Sequence, residues 1–344
     1  MTRWAVVLAG GVGSRFWPLS TPERPKQLLP LVNSNPLLVN TLRRLEPIVP
    51  PERTLILTNA SLTDAIAAIA PNVPRENIIA EPKPAGTAGA LTWAALEIER
   101  REGPDAAMLC VHADWAIGDD EGFRKVLLAA ENVAREEDAL VTVGVVPTRP
   151  DPGFGYIEPG ESTSSGARVV TRFVEKPDRE KAEMMMHKGY LWNSGIFVWT
   201  AGNFLREVRA HTPEVASALA AAGSGLESFF AAVKPISVDV GVMERSDRVR
   251  VLSGDFGWDD VGTWGALRRV KPADAEGNVS SGVVHALDAR GNVVHAEGNA
   301  VVLYGVSDLV VVTRAGLTLV TTTDKSSDLK ALFAALPPEI LESK

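Results

Sequence analysis

Through its first half the chain alternates short, apolar, valine-rich runs with longer stretches of Ala, Leu, Glu and Arg. Runs of five or six apolar residues bounded by turn signals suit strands buried on both faces, and the stretches between them suit helices. Strands are therefore predicted near residues 4–9, 54–58, 106–111 and 139–145, and helices at 37–45, 61–70, 87–101 and 121–135. This alternation implies an α/β fold, a mostly parallel sheet with helices on both faces, which binds ligands at the carboxyl ends of its strands. From about Asn278 the pattern changes to short β runs, VVHAL, NVVHA, AVVLY, DLVVVTR and LTLVTT, separated by Gly, Asp and Asn turns. The pattern thus divides the chain into residues 1–271 and a small all-β module, 272–344, with the junction in 272–277 and a closing helix over 327–336.

The first strand leads into the most informative segment, AVVLAGGVGSRFWPLSTPERPKQLLP. Gly10, Gly11 and Gly13 stand where the strand must turn, and glycines let backbone N–H groups approach phosphate oxygens without interference from a Cβ. Arg15 and Lys26 add charge: a guanidinium forks across two oxygens, while an ammonium is a point charge on a flexible stem. Such a division of labour suits a triphosphate. Two other glycine loops fail on residues, since Phe16 stands where the dinucleotide fingerprint needs its third glycine, and the G-K-[ST] of the P-loop is absent. Pro18, Pro22, Pro25 and Pro30 forbid a helix here and argue for an ordered loop able to fold over a ligand.

With 344 residues, 45% hydrophobic and 23% charged, the composition is that of a soluble globular protein long enough for a large domain and a smaller one. No stretch approaches a membrane span, and the N-terminal apolar run lacks a basic leader and a cleavage-type end, so a cytoplasmic location is expected. Cys110 is the only cysteine, which excludes an internal disulfide and a cysteine-rich zinc site. A net charge of −8 argues against nucleic-acid binding, so an anionic substrate must be met by local cations and metal. The sequence leaves oligomeric state open, a homodimer included.

The segment LAGGVGSRFWPLSTPERPKQLLP resembles the signature of the mannose-1-phosphate guanylyltransferases, within the sugar-nucleotide pyrophosphorylases. The L-A-G-G-x-G-x-R pattern is general to the wider family; the W-P-L-S and P-K-Q details resemble the guanylyltransferase branch. The resemblance implies a Rossmann-like catalytic domain followed by a small β-helix-like domain. It also implies nucleotide contacts at Leu8, Ala9, Gly10, Gly11 and Gly13, with Arg15 and Lys26 on the phosphates.

Further segments carry the resemblance. In VHADWAI, Asp114 follows the third strand and matches a metal ligand of the family, although an aspartate there also suits a turn or helix cap. GWDDVGTW resembles W-x-D-V-G-[ST]-W and assigns Asp260, not Asp259, as the other ligand of Mg²⁺; sequence separation alone does not bring Asp114 and Asp260 together. FVEKP resembles the family's E-K-P, in which Glu175 takes sugar hydroxyls and Lys176 the sugar phosphate; read without it, the pair is a surface ion pair beside a turn. FGYIEPG and WNSGIFVW resemble segments lining the sugar pocket, through Gly155 and Asn193. EPKPAGTAGA resembles the purine-contacting segment, placing Glu81 and Thr87 at the nucleotide, with Thr87 capping the next helix. Gly86 and Gly89 stand there where the family has asparagine and proline.

The reaction implied is GTP plus mannose 1-phosphate giving GDP-mannose and pyrophosphate. Two alternatives stay open: the same chemistry with another nucleotide or hexose 1-phosphate, and a non-catalytic regulator that binds sugar nucleotide.

Overall fold

The segment RWAVVL, Arg3–Leu8, forms strand β1 and is buried from Trp4 onward. In the computed structural model, which describes residues 2–11 and 14–341, β1 opens the expected alternation. It continues through α1 (Leu37–Leu45), β2 (Thr54–Asn59), α2 (Thr63–Ile69), β3 (Ile78–Glu81), α3 (Gly86–Glu102), β4 (Ala107–His112), α4 (Asp120–Glu136) and β5 (Leu140–Val145). Then come β6 (Tyr156–Ser162), β7 (Arg168–Val174), α5 (Arg179–His187), β8 (Leu191–Thr200), α6 (Ala201–His211) and β9 (Val249–Gly254).

Strands β1 to β9 form one sheet in the order β3-β2-β1-β4-β8-β5-β9-β7-β6. The first four run parallel, as the alternation predicts. The other half is mixed: β5 and β9 are parallel, β8 lies antiparallel between β4 and β5, and β6 with β7 makes an antiparallel hairpin. The hairpin was not legible as apolar runs because YIEPGES and RVVTRFV are half-exposed and interleave charged with apolar residues. The core of this first compact unit, Met1–Gly10, Thr41–Ala113 and Asp119–Trp258, joins Val6 and Leu57 to Leu91 and Ala95 of α3 and to Phe204 of α6.

The second unit comprises Gly11–Asn40, Asp114–Gly118 and the chain from Asp259. Its C-terminal part winds through β10 (Val279–Ser281), β11 (Val284–Leu287), β12 (Val293–Ala296), β13 (Val301–Tyr304), β14 (Leu309–Arg314) and β15 (Leu317–Thr322). β10, β12 and β14 pair in parallel on one face and β11 with β13 on another, the β-helix-like coil expected. β15 closes antiparallel on β14. Asn278 and Asn292, both buried, form a ladder inside the coil: Asn292 Nδ2 donates to Asn278 Oδ1 at 2.8 Å, and Leu309 N–H donates to Asn292 Oδ1 at 2.9 Å.

The larger of this unit's two hydrophobic clusters joins the proline-rich loop to the coil, while a smaller one, Ala289, Val294, Leu303 and Val311, lies within the coil itself. Phe16, Trp17, Leu19 and Leu29 of the proline-rich loop pack with Val261, Trp264, Val279, Val293 and Val310. The compact units therefore do not follow a single cut at 271/272, because the loop buries its aromatic residues in the core of the β module. Among the described residues of the loop the helical turns are single 3₁₀ turns, at Ser14–Phe16 and Lys26–Leu28, in keeping with its prolines. The expected closing helix is Lys330–Ala335, shorter than predicted because Lys325–Ser327 forms a separate 3₁₀ turn, and a single further helical turn, Pro338–Leu341, follows it. Among the described residues no helix is long and apolar enough to cross a membrane.

Candidate active site

In the second unit, Lys26 ties together the residues expected to meet phosphate and metal. Its side chain is buried, and Nζ donates to Asp114 Oδ2 at 3.0 Å and to the backbone carbonyl of Asp260 at 2.5 Å. The chain directions make this contact natural. Ala116 and Asp259 form an antiparallel bridge, N–H to O at 2.9 and 3.0 Å, which aligns the segment after β4 with the Gly257–Trp264 segment. Lys26 is fixed at its root by the 3₁₀ turn, where the next residue, Gln27, donates through Nε2 to the Gly11 carbonyl at 3.0 Å. Arg15 is exposed beside Phe16, which is fully buried and packs edge-on against Trp264 at 5.1 Å between centroids. Gly13 lies outside the described residues.

The two acids of GWDDVGTW have separate fates. Asp259 is 6% exposed. Its carboxylate accepts from Arg269 Nε at 2.6 Å and Nη2 at 3.1 Å, and from the Val261 N–H at 2.9 Å. Asp260 remains half-buried, and Val261 behind it holds φ at +47°. A β-branched residue rarely enters that left-handed region, and such strain recurs at functional sites.

The first unit carries two other groups. At the carboxyl ends of β1, β2 and β3, Asn59 and Glu81 stand in register, and Asn59 Nδ2 donates to the Gly10 carbonyl at 3.0 Å. A Cβ on Gly10 would lie 3.6 Å from Glu81 Oε1, so backbone and carboxylate are close neighbours. Burial pushes the Glu81 carboxyl up to about 7. Leu8 and Ala9 have backbone groups bound into the sheet: Leu8 O accepts from Ala113 N–H, and Ala9 N–H donates to Leu57 O.

Thr87 is not the cap of α3. The helix begins one residue earlier, at Gly86, and the Thr87 hydroxyl accepts from the Val238 N–H at 2.8 Å. Gly86 enters the helix at φ +73°, and the Ile236 backbone occupies the space a Cβ would need. Glycine in place of asparagine is thus required by the packing of this chain.

Gly155, Glu175 and Asn193 are neighbours in the structure. A Cβ on Gly155 would stand 2.8 Å from Glu175 Oε2 and 3.5 Å from Asn193 Cβ, and Asn193 N–H donates to Gly155 O at 2.8 Å. Asn193-Ser194-Gly195 is a bulge within β8, where the register with β5 shifts. Glu175 and Lys176 are both exposed and paired with each other, and Lys176 holds φ at +42°. Sequence reasoning missed Asp239 and Glu244. Asn193 Nδ2 donates to Asp239 Oδ1 at 2.7 Å. Burial, then the negative charges of Asp239 and Glu175, raise the Glu244 carboxyl. Asp239–Met243 is a π-helical turn, a geometry frequent at functional sites. The only signal in SVDVGVME was two acids among apolar residues, indistinguishable from a solvated face.

Comparison with known proteins fits this geometry. The model of a family described as nucleotidyl transferase matches residues 4–277. A mannose-1-phosphate guanylyltransferase of Klebsiella pneumoniae is 36% identical over 94% of this chain and 72% of its own length. One of Escherichia coli strain K12 is 37% identical over 95% of this chain and 72% of its own. A solved structure from Thermus thermophilus, described as a mannose-1-phosphate geranyltransferase, superposes with a TM-score of 0.91 at 38% identity, covering 97% of this chain and 99% of its own.

Proposed function

Because the chain belongs to the nucleotidyl transferase family, we propose that it joins GTP to mannose 1-phosphate, forming GDP-mannose and pyrophosphate. An oxygen of the sugar phosphate attacks the α-phosphorus of GTP, the α–β phosphoanhydride bond breaks, and pyrophosphate departs with its electron pair. A phosphate monoester has a second pKa near about 6, so the nucleophile is largely a dianion at neutral pH and needs no general base. The obstacle is repulsion between two polyanions, and catalysis rests on positioning and charge neutralisation.

The residues divide that work. Lys26 and Arg15 stabilise the departing pyrophosphate, and Lys176 orients the sugar phosphate. Glu81, once ionised, is an acceptor for the N–H donors on the guanine edge. Glu175 and Asn193, with Asp239 behind Asn193, present acceptors and a donor to sugar hydroxyls. The observation that carries this reading is the Lys26 ammonium between Asp114 and Asp260. A cation already sits against these two residues, and their donors are oxygens, as Mg²⁺ requires. Two carboxylates are also as many as such an ion usually takes from protein, since substrate phosphates and water complete its shell. Asp114 and Asp260 would hold Mg²⁺, and bound there it would supply neutralising charge to the phosphates.

The test is a substrate matrix of four nucleoside triphosphates against mannose and glucose 1-phosphates, with pyrophosphate release and nucleotide-sugar formation both measured. GTP with mannose 1-phosphate should give the highest kcat/KM. A different best pair would correct the substrate assignment, and no turnover with any pair would leave a sugar-nucleotide binder.

A further inference from the structure

We propose that Lys26 is a resident counter-ion that keeps divalent cations off Asp114 and Asp260 until nucleotide phosphate draws its ammonium away. The inference rests on the reading of these two aspartates as metal ligands. Lys26 is only 6% exposed, yet its charge is placed on the side chain meant for the metal, with Nζ 3.0 Å from Asp114 Oδ2. A second bond from the same nitrogen to the Asp260 carbonyl holds it against both residues. An ammonium and a divalent cation compete for one carboxylate, because each neutralises it and each repels the other.

The anchoring lets the charge move without the backbone. The main chain at Lys26 is set by Pro25, the 3₁₀ turn and the fully buried Leu29. The four-carbon stem, by contrast, is flexible and carries a point charge. A triphosphate offers the ammonium several anionic oxygens, and transfer to them removes its positive charge from Asp114 as the nucleotide arrives. One lysine then does two jobs in sequence, first excluding metal and afterwards holding phosphate. Metal and nucleotide are coupled through it, so each raises the affinity for the other.

The experiment measures Mn²⁺ binding to the nucleotide-free protein by the electron paramagnetic resonance signal of free Mn²⁺. Lys26→Met should tighten binding by roughly tenfold, within the usual range for such coupling, while turnover falls. Lys26→Gln removes the charge but keeps donors for both oxygens, and it should tighten binding as well if the methionine variant does not fold. Lys26→Arg keeps the charge and should bind as weakly as wild type. The gain must vanish in Lys26→Met/Asp114→Asn. Unchanged Mn²⁺ affinity in a folded, neutral Lys26 variant overturns the inference, as does a gain that survives loss of Asp114. Mg²⁺-dependent turnover of Asp114→Asn and Asp260→Asn separates this from the underlying reading. Near-normal rates there would remove the metal-ligand assignment itself, whereas lost rates with unchanged Mn²⁺ affinity remove only the role of Lys26.

Discussion

Arg269 clamps Asp259 with two hydrogen bonds, at 2.6 and 3.1 Å, and so gives one of two adjacent aspartates a structural partner. Asp259 also accepts from Val261 N–H and exchanges backbone bonds with Ala116. It is the carboxylate that holds the segment in shape.

Asp259→Asn should therefore lower stability by about 2 kcal/mol, the scale for weakening charged hydrogen bonds at a buried carboxylate, with kcat per folded molecule nearly retained. Asp260→Asn should do the reverse, losing most turnover with little change in unfolding midpoint. Denaturant melts and kcat measured on both variants decide between the two, and the opposite pattern would exchange their roles.

On the phosphate loop, Lys26→Ala should reduce kcat by roughly 10²–10³, the effect of removing one charge-stabilising donor. Arg15→Lys should also be damaging, because a point charge cannot replace a forked contact. Steady-state rates equal to wild type in both would leave the loop a structural element only.

The sugar group allows a test of kind as well as size. Glu175→Gln should shift the mannose-to-glucose ratio of kcat/KM, since a site built around hydroxyls discriminates by leaving polar groups unpaired. Asp239→Asn should do so too, through Asn193, whereas Lys176→Ala should weaken both sugar phosphates alike. A ratio that moves for Lys176→Ala but not for Glu175→Gln would exchange these assignments.

Glu81 gives a pH signature. Its carboxyl is raised by burial from 4.5 to about 7 in the folded chain, so between those values the folded state holds the proton that the unfolded state has released. Its contribution to stability is full below about 4.5 and is lost as pH rises through about 7. Glu81→Gln cannot ionise and should flatten that part of the stability profile, becoming more stable relative to wild type above neutrality. Urea melts across this range test the sign, and parallel profiles for the two proteins would refute it.

Much of this was legible because local chemistry dictates it. β1 and the glycines after it, α1 at its observed boundaries, and the coil of short strands all follow from apolar runs and turn residues. The motif alone separates Asp260 from Asp259, and nothing in the local sequence shows that Arg269 holds the Asp259 carboxylate. What escaped was long-range. The sequence could not bring Asp114 to Asp260, since 88 residues separate Lys26 from Asp114 and 234 separate it from Asp260. Asp239 was invisible because its partner Asn193 lies 46 residues away. Thr87 carried the usual look of a cap, but its hydroxyl is taken by Val238, 151 residues distant.

The shared core of the second unit sets a timetable. Phe16 and Trp17 leave the ribosome long before their partners Val279, Val293 and Val310. The loop carrying Arg15 and Lys26 therefore cannot settle until those coils have been made. A chain stopped after Lys271 would contain every residue assigned to phosphate, metal, base and sugar, and would still present an unanchored loop. A chain halted short of the coils should therefore hold nucleotide phosphate poorly, although every residue assigned to it is already present.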